Sequence, residues 1–495
     1  MRKSVSQSTA DDRRVPTGPP SAFAEESLSL WEKLSAILRS DPLINGTLAL
    51  AITVGFFHGW LKVQYKSPAT TFLFDATLVA ALGLAYLRLK RHENFIPSGP
   101  IGQALKGFYA ICGVMLLLPD TPPLIISVAA LRGWVFATLM YCLGYHLTKS
   151  LAQARGYFYV LILLGLITSI YGLRQTPEEI ERRMREDPDF EERYRFTYFE
   201  GKDGGLELRI FSTFVSSGAF GGTLAYVAIF AIVLLSDPKT PKIERLLLVA
   251  ALAPIAYALV RTGARSALMS LIFGFLIIAW HRRNFFNWVF VPALIVAALK
   301  LAALATGGSA ADRFATLLEL DVIYHRASIP TMIGWDYMMD DHLLGGGLGR
   351  SGHSVPGFLS TKVGYTGYVF ADGDLGRLMI DMGVLGLLFF GRLLFVVLKE
   401  GLRALQEVQD TPVSTVALAS AACIVMAVAA LPSGSPFLGI PMGALVWFFL
   451  GTLMKLRDGH QSGEFVEAPT SQPEPAPPSA KHFLHRPARV RRSAR

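Results

Sequence analysis

Four arginines are the residues of this sequence best suited to holding an anion. Arg261 and Arg265 bracket the turn "TGA" between two apolar runs, Arg209 precedes the stretch "IFSTFVSSGAFGGTLAY", and Arg132 lies inside the apolar run "SVAALRGWVFATLM". A guanidinium is permanently charged, and its planar set of donors matches the oxygens of a phosphate group. The Gly and Ser residues of "SSGAFGG" allow backbone N–H groups to approach the same anion. The pattern predicts a binding site for a phosphate-bearing ligand.

Each of these arginines also has a purely structural explanation. The two arginines of the turn can extend toward a membrane surface while their aliphatic stems stay in apolar surroundings. Arg209 can pair with Glu207. Arg132 can form a buried ion pair, for which Asp75 is the candidate partner. The sequence leaves both explanations open.

A glycine-rich segment and two aspartates form a second candidate group. The stretch "YMMDDHLLGGGLGRSGHS" contains His342 and Gly346, but no strand precedes it and no P-loop lysine follows, which argues against a nucleotide site. We expect a tight backbone turn beside a polar ligand. Downstream, Asp372 and Asp374 stand at the start of an apolar run, where a carboxylate can act as general base for a hydroxyl. The alternatives are a divalent-metal Asp-x-Asp pair and ordinary acids of a first helical turn.

The histidines and cysteines do not suggest a metal centre. His325, His342 and His353 share one long segment, but their spacing matches no zinc-binding pattern. The three cysteines all fall in apolar runs and are explained as small buried side chains. We expect neither a metal nor another cofactor.

The composition identifies the class of protein in which these residues must be positioned. The chain has 495 residues, of which 52% are hydrophobic and only 17% are charged, whereas soluble proteins carry nearer a quarter of charged residues. Apolar runs long enough to cross a bilayer recur along the chain. We predict an all-α integral membrane protein with about twelve spanning segments, at roughly 45–61, 70–87, 104–118, 123–146, 156–173, 214–236, 246–260, 266–281, 286–305, 375–398, 414–431 and 436–454.

The distribution of Lys and Arg predicts how the helices are oriented. The short loops that would be cytoplasmic hold most of the basic residues, which places both termini in the cytoplasm. The net charge of +9 is then explained by helix orientation and contact with anionic lipid, and we expect no nucleic acid as a partner. Two long segments, about 174–213 and 306–374, fall on the outer side together with the turn between Arg261 and Arg265.

These boundaries divide the chain into three regions. We expect residues 1–44 to form a polar cytoplasmic N-terminus without a cleavable signal peptide. Within it, residues 26–40 form an amphipathic helix that either lies on the membrane surface or packs on the protein. Residues 45–457 form the membrane domain, and residues 458–495 form a disordered tail with a basic end.

Three blocks between about 209 and 390 carry a resemblance to a known family. "RIFSTFVSSGAFGGTLAYVAIF" is similar to the family's Arg-led start of a central helix, and "RTGARSALMSLIFGFLI" to its "T-G-S-R-G-A" turn. "MMDDHLLGGGLG", followed by "DGDLGRLMIDMGVLGLL", is similar to its glycine-rich segment and the helix after it. In order and sidedness the blocks resemble the superfamily of O-antigen ligases and Wzy-type polysaccharide polymerases of bacterial inner membranes.

The resemblance implies a GT-C-like membrane glycosyltransferase that needs no metal and takes an undecaprenyl-diphosphate-linked oligosaccharide as donor. It implies that Arg209 and Arg265 bind the diphosphate, with Arg261 beside them. Membrane lipid is a further expected partner, as are a flippase and a chain-length regulator of the same pathway. The candidate catalytic residues are Asp372, Arg265 and Arg209, and the candidate substrate-binding residues are Arg261, Arg132, His342, Asp374 and Gly346.

This sequence departs from the family at one position. Counting back from Gly383, the family's histidine falls on Asp372 and its asparagine on Gly373. Loss of that histidine favours a polymerase, which would join repeat units of an exopolysaccharide or O-antigen on the periplasmic side. The alternatives are a ligase of the same superfamily, acting on lipid A-core or another acceptor, and a transporter or flippase for a lipid-linked sugar. A transporter often contains internal repeats, and no convincing repeat is visible here.

Overall fold

The computed structural model describes residues 29–65, 67–89, 93–118, 121–186, 198–200, 206–283, seven positions between 288 and 300, 320–355, 359, 362–409 and 411–462. Most of the predicted C-terminal tail, most of the N-terminal tail and most of the predicted span 286–305 lie outside the described residues. The tail was predicted to begin at residue 458, but residues 458–461 continue the last helix.

Most elements of the described residues are helices, and a small antiparallel hairpin lies between the seventh and eighth helices. In chain order they are α1 (Leu30–Ser40), α2 (Pro42–Tyr65), α3 (Pro68–Arg88), α4 (Pro100–Met115), α5 (Leu124–Leu147), α6 (Leu151–Leu173), α7 (Pro177–Glu186), β1 (Tyr198–Glu200), β2 (Leu206–Leu208), α8 (Ser217–Ser236), α9 (Lys242–Arg261), α10 (Arg265–Arg282), α11 (Leu320–Met339), α12 (Asp374–Glu407), α13 (Ser414–Ala430) and α14 (Met442–Gln461).

Seven of the described helices are long and apolar enough to cross a bilayer, namely α2, α3, α5, α6, α8, α9 and α12. The chain is therefore an α-helical membrane protein. Each of the predicted spans other than 286–305 coincides with a helix. Four of these helices, α4, α10, α13 and α14, do not meet the same criteria of length and composition, so the prediction of twelve spans is matched only in part.

Helix α8 lies at the centre of the bundle, and nearly all of its residues are buried. It packs against α6, α9, α10 and α13. Phe230 of α8 stacks on Phe158 of α6 with ring centroids 4.6 Å apart, and both rings contact Phe449 of α14. Large apolar side chains such as Leu87 and Leu246 are exposed on the outside, as expected where a helix meets lipid rather than water.

Successive spanning helices run in opposite directions, so their ends form two faces of the bundle. The end that holds the starts of α6 and α9 is the predicted cytoplasmic end. Three buried or half-buried ion pairs lie there: Lys33–Glu244 at 3.0 Å, Arg155–Asp237 at 2.9 Å and Arg457–Glu400 at 3.0 Å. Burial raises the pKa of Asp237. The charge of Arg155 and the hydrogen bond from Thr415 together lower this pKa by a larger amount, so the net shift is downward.

Helix α1 packs on the protein, which is one of the two positions that its amphipathic pattern allowed. Ser29 and Glu32 form a capping box at its start. Lys33 is buried and donates to both carboxylate oxygens of Glu244 in α9. The backbone of α1 passes directly over Gly156 of α6, where a Cβ would lie 2.6 Å from the Lys33 carbonyl oxygen. Trp31, in contrast, is 76% exposed.

The two long segments predicted to be outer, about 174–213 and 306–374, contain helices and a hairpin that the sequence analysis did not locate. The first holds α7 and the hairpin, in which Tyr198 pairs with Leu208. The second holds α11, which the sequence analysis did not predict, because Pro330 and scattered polar residues interrupt its apolar pattern. Helix α11 packs closely on α12, and Gly334 of α11 lies against the backbone of Gly376.

Helix α12 is interrupted at Gly383, which has φ +56° and ψ −146°. The glycine-rich segment after α11 fills the break. The N–H of Val384 donates to the carbonyl of Leu343 at 2.9 Å, and the N–H of Gly346 donates to the carbonyl of Ile380 at 2.8 Å. These bonds satisfy backbone groups that the interrupted helix leaves unpaired, which is obligatory inside a bilayer.

Replacing Gly383 by alanine should destabilise the protein. Its φ and ψ lie in a region that costs other residues roughly 1–3 kcal/mol, and a Cβ there would collide with the carbonyl of Leu343 and the N–H of Gly345. The matched control is Gly391→Ala in the same helix, where a Cβ meets nothing within 4 Å. That change should stabilise the helix by about 0.5–1 kcal/mol. Thermal unfolding in detergent measures both, and equal melting temperatures would contradict the role of Gly383.

Candidate functional site

The turn between α9 and α10 holds two of the candidate arginines at the ends of adjoining helices. Arg261 is the last residue of α9, and Arg265 is the first residue of α10. Gly263 has φ +59°, a conformation that favours glycine. Thr262 is fully buried, donates its hydroxyl to the carbonyl of Leu259 at 2.6 Å, and accepts from the N–H of Ala264 at 3.2 Å. The turn is therefore held by its own hydrogen bonds.

Arg209 lies against this turn, as the sequence analysis required. Its Nε donates to the carbonyl of Thr262 at 2.9 Å, and the N–H of Ile210 donates to the carbonyl of Arg261 at 3.4 Å. Arg209, Arg261 and Arg265 are all half-buried. The structure thus brings together three arginines that are separated by up to 56 residues, 265 − 209. Three cations at one place, in partly desolvated surroundings, attract an anion.

The segment that leads from Arg209 into α8 is hydrogen-bonded to α2 and to the C-terminal part of α6. The side chain of Gln175, just after α6, accepts from the N–H of Ser212 at 2.8 Å. Ser212 donates its hydroxyl to the carbonyl of Thr168 at 2.6 Å, and Thr213 donates to the carbonyl of Phe56 in α2 at 2.6 Å. These hydrogen bonds fix the segment that follows Arg209, so Arg209 is not on a free loop.

Arg132 forms the ion pair that the sequence suggested. It contacts Asp75 of α3 at 2.7 Å, donates to the carbonyl of Ser354 at 2.7 Å, and lies over the ring of Phe72 at 4.9 Å. Both charged side chains are only 14% exposed. They line a small pocket whose other walls are mostly apolar. The partners of Arg132 come from α3 and the second outer segment, so Arg132 is not part of the cluster at the turn.

The two candidate aspartates differ sharply in their surroundings. Asp374 is fully buried, forms an ion pair with Arg377 at 3.2 Å, and accepts from the N–H groups of Phe437 and Leu438 at 3.0 and 3.3 Å. Its oxygens are occupied by protein donors, which matches the alternative of a first-turn structural acid. Asp372 is exposed and makes no hydrogen bond to any described residue, so its carboxylate is accessible to a ligand.

His342 and Gly346 lie in the segment that fills the break in α12. His342 stacks on Tyr337 with ring centroids 4.2 Å apart. The N–H of Gly346 is engaged by Ile380, so it is not available to an anion. The prediction of a tight turn is confirmed, since Gly345 and its neighbours at 347 and 349 have φ of +83°, +84° and +90°.

His353 and Arg377 belong to the same region but were not among the sequence candidates. Burial, followed by the nearby charge of Arg377, lowers the pKa of His353 well below its usual value, and Arg132 acts in the same direction. A hydrogen bond with the backbone of Leu438 only partly opposes this shift. His353 is therefore a neutral imidazole near two guanidinium groups. No spacing rule could reveal it, because its neighbours come from three distant parts of the chain.

All these groups lie at the end of the bundle that the basic residues predict to be outer. Helices α10 and α13 run antiparallel: Arg282 donates to Thr415 at 2.9 Å at the other end, and Gly274 packs on Met426 nearer the middle. The start of α10, with Arg265, is therefore at the same end as the finish of α13. The segment that follows α13 contacts Asp374.

The turn should be sensitive to any side chain added beneath it. Gly221 of α8 lies under the turn, and a Cβ there would stand 2.7 Å from the hydroxyl oxygen of Thr262 and 2.8 Å from Cβ of Ala264. Gly221→Ala should cost about 1–3 kcal/mol through overpacking. The neighbouring Gly222 has nothing within 4 Å of a Cβ, so Gly222→Ala should be neutral or stabilising. Thermal unfolding of the two variants in detergent checks this, and similar melting temperatures would disprove close packing at the turn.

The chain matches no protein-family model and no curated protein. The functional assignment therefore depends on the geometry of the chain's own residues.

Proposed function

We propose that this protein is a membrane glycosyltransferase that polymerises polysaccharide repeat units, with an undecaprenyl-diphosphate-linked glycan as donor and a sugar hydroxyl as acceptor. The proposal includes a GT-C-like fold of about twelve spans, a place in the bacterial inner membrane, and a reaction on the periplasmic side. The observation that carries it is the contact between Arg209 and the turn that bears Arg261 and Arg265, at the predicted outer end of the bundle.

The arginines suit a diphosphate for electrostatic reasons. A diphosphate linked to a sugar leaves readily once the negative charge that develops on it is stabilised. Arg209 and Arg265 would hold that charge, with Arg261 beside them. Because Arg209 is fixed to the carbonyl of Thr262 and Arg265 begins a helix, the groups need little reorganisation when the ligand arrives. Half-burial strengthens their interaction with an anion compared with the same groups in bulk water.

The acceptor hydroxyl needs a group that takes its proton as the new glycosidic bond forms. In the proposed reaction the acceptor oxygen attacks the anomeric carbon, the bond from that carbon to the diphosphate breaks, and the diphosphate leaves with the bonding electrons. Asp372 would accept the proton, directly or through one water. Its exposed carboxylate supports this role better than that of Asp374, whose oxygens are occupied by protein donors.

Removing either diphosphate-binding arginine should abolish most of the activity. Arg265→Ala and Arg209→Ala should each lower the polymerisation rate by on the order of 10²–10³, by analogy with the loss of one oxyanion-stabilising donor. The control is Arg403→Ala, which removes an exposed arginine at the opposite end of the bundle. Polymer on the surface of complemented deletion cells gives the measurement. Single repeat units in the deletion strain support a polymerase, and long lipid-linked chains indicate a ligase. Normal polymer from well-expressed arginine variants would reject the proposed site.

Asp372→Asn should reduce turnover without weakening donor binding, because an amide cannot accept the hydroxyl proton at neutral pH. Purified protein with a lipid-linked donor provides the assay. Asp340 and Asp341 are also exposed acids of the same outer segment, so Asp340→Asn serves as the matched control. A variant at Asp372 that turns over as fast as this control would remove Asp372 from the mechanism.

A further inference from the structure

Arg350 is another guanidinium at the predicted outer end that the proposed reaction does not use. It is half-buried in the glycine-rich segment. Its Nε donates to the hydroxyl of Tyr337 at 3.1 Å, and one Nη donates to the hydroxyl of Tyr365 at 2.9 Å. Its central carbon also lies 6.0 Å from the centre of the Tyr337 ring. Within the described part of the chain, no carboxylate pairs with it.

The partners of Arg350 orient its guanidinium without neutralising it. Both are neutral phenols, and the hydroxyl of Tyr365 donates a hydrogen bond to the carbonyl of Gly367 at 3.2 Å. Tyr365 therefore accepts from Arg350 in a fixed direction. Among the described residues no carboxylate compensates the positive charge, and the side chain is already ordered. An incoming anion therefore binds without the entropic cost of ordering that side chain.

Two glycines make room for this arrangement. A Cβ at Gly346 would collide with the hydroxyl of Tyr337 and stand 2.8 Å from Cγ of Arg350. A Cβ at Gly367 would stand 2.9 Å from the Nη of Arg350 and 3.1 Å from the hydroxyl of Tyr365. The local backbone is thus shaped around the three side chains.

The buried carboxylate of Asp381 fixes the position of Arg350. The N–H and the hydroxyl of Ser351 donate to Asp381 at 2.8 and 3.1 Å, next to the break in α12. On the other side, the N–H of Val369 donates to the carbonyl of Arg350 at 2.9 Å. The residue is therefore held by α12 through Ser351 and by Val369, and it lies at the predicted outer end of the bundle.

Aromatic rings surround the guanidinium. Tyr337 stacks on His342, Tyr365 contacts Tyr368, and Phe370 beyond them is 67% exposed. A sugar ring has an apolar C–H face that packs on an aromatic ring, while its hydroxyl and acidic groups need polar partners. An ordered cation beside exposed aromatic surface therefore has the chemistry to bind a saccharide that carries a negative charge.

We infer that Arg350, oriented by Tyr337 and Tyr365, binds an acidic group carried on a sugar of the glycan, at a place separate from the arginines that would hold the diphosphate. The inference deepens the proposed function, on which it rests for the choice of a saccharide. It predicts that the polymer made by this protein contains an acidic sugar or an acidic substituent.

The test uses the full-length protein in lipid nanodiscs and titrates it with tetragalacturonate, an acidic tetrasaccharide, and with maltotetraose, a neutral one. Arg350→Ala should weaken tetragalacturonate binding about tenfold or more, the scale of one charged hydrogen bond. Maltotetraose binding should change little. Arg350→Lys and Tyr365→Phe should also weaken tetragalacturonate, since the first loses the planar fork and the second loses an orienting acceptor. Melting temperatures show that each variant is folded.

Lys362→Ala is the matched control, because Lys362 is an exposed cation of the same outer segment. If Lys362→Ala weakened tetragalacturonate binding as much as Arg350→Ala does, the effect would be general attraction between unlike charges and the inference would be overturned.

Inorganic pyrophosphate is the second probe. If Arg350→Ala weakens pyrophosphate binding and leaves tetragalacturonate binding unchanged, Arg350 binds the diphosphate and the saccharide assignment is wrong. Arg265→Ala should show the reverse pattern, weakening pyrophosphate only. Loss of tetragalacturonate binding in Arg350→Ala, together with normal polymer in Arg265→Ala, would support the saccharide site while rejecting the proposed diphosphate site.

Discussion

The interruption of α12 is the constraint on which the predicted outer half of the molecule depends. A helix that breaks within a bilayer exposes backbone groups that water cannot reach, so other parts of the protein must satisfy them. Here the glycine-rich segment does so, through bonds between Leu343 and Val384 and between Gly346 and Ile380. The same segment delivers Ser351 to the buried carboxylate of Asp381. One helix break therefore fixes the course of the chain that carries Arg350, His353 and Ser354.

The buried and half-buried cations of the bundle differ in the kind of partner that they have. At the predicted cytoplasmic end, buried and half-buried cations have carboxylate partners, as in Lys33–Glu244 and Arg155–Asp237, and these pairs join α1, α6, α8 and α9. At the predicted outer end, Arg132 and Arg377 likewise pair with Asp75 and Asp374. Arg350 differs, because its hydrogen bonds go to two phenols, and neutral partners order a guanidinium but leave its charge available. This difference supports a structural role for the paired cations and ligand binding for Arg350.

Arg132 illustrates why depth in the membrane alone does not establish function. Its position inside an apolar run made it a candidate for substrate binding, because a lone charge there is costly. In the structure Asp75 compensates that charge, and the carbonyl of Ser354 accepts a further hydrogen bond. The pair ties α3, α5 and the second outer segment together. The pair is distinct from the cluster formed by Arg209 and the turn.

The sequence by itself determined the positions of most helices, because a run of apolar residues long enough for a bilayer has few other uses. It also indicated the turn between Arg261 and Arg265 and the pairing of Arg132 with Asp75, since cations in apolar runs are conspicuous. Only the tertiary structure decided that Arg209 contacts this turn, that Asp374 is occupied while Asp372 is exposed, and that Arg350 lies between two tyrosines. Helix α11, which breaks the apolar pattern, likewise became visible only there. These features depend on contacts between residues far apart in the chain, and composition and periodicity report only on neighbours along it.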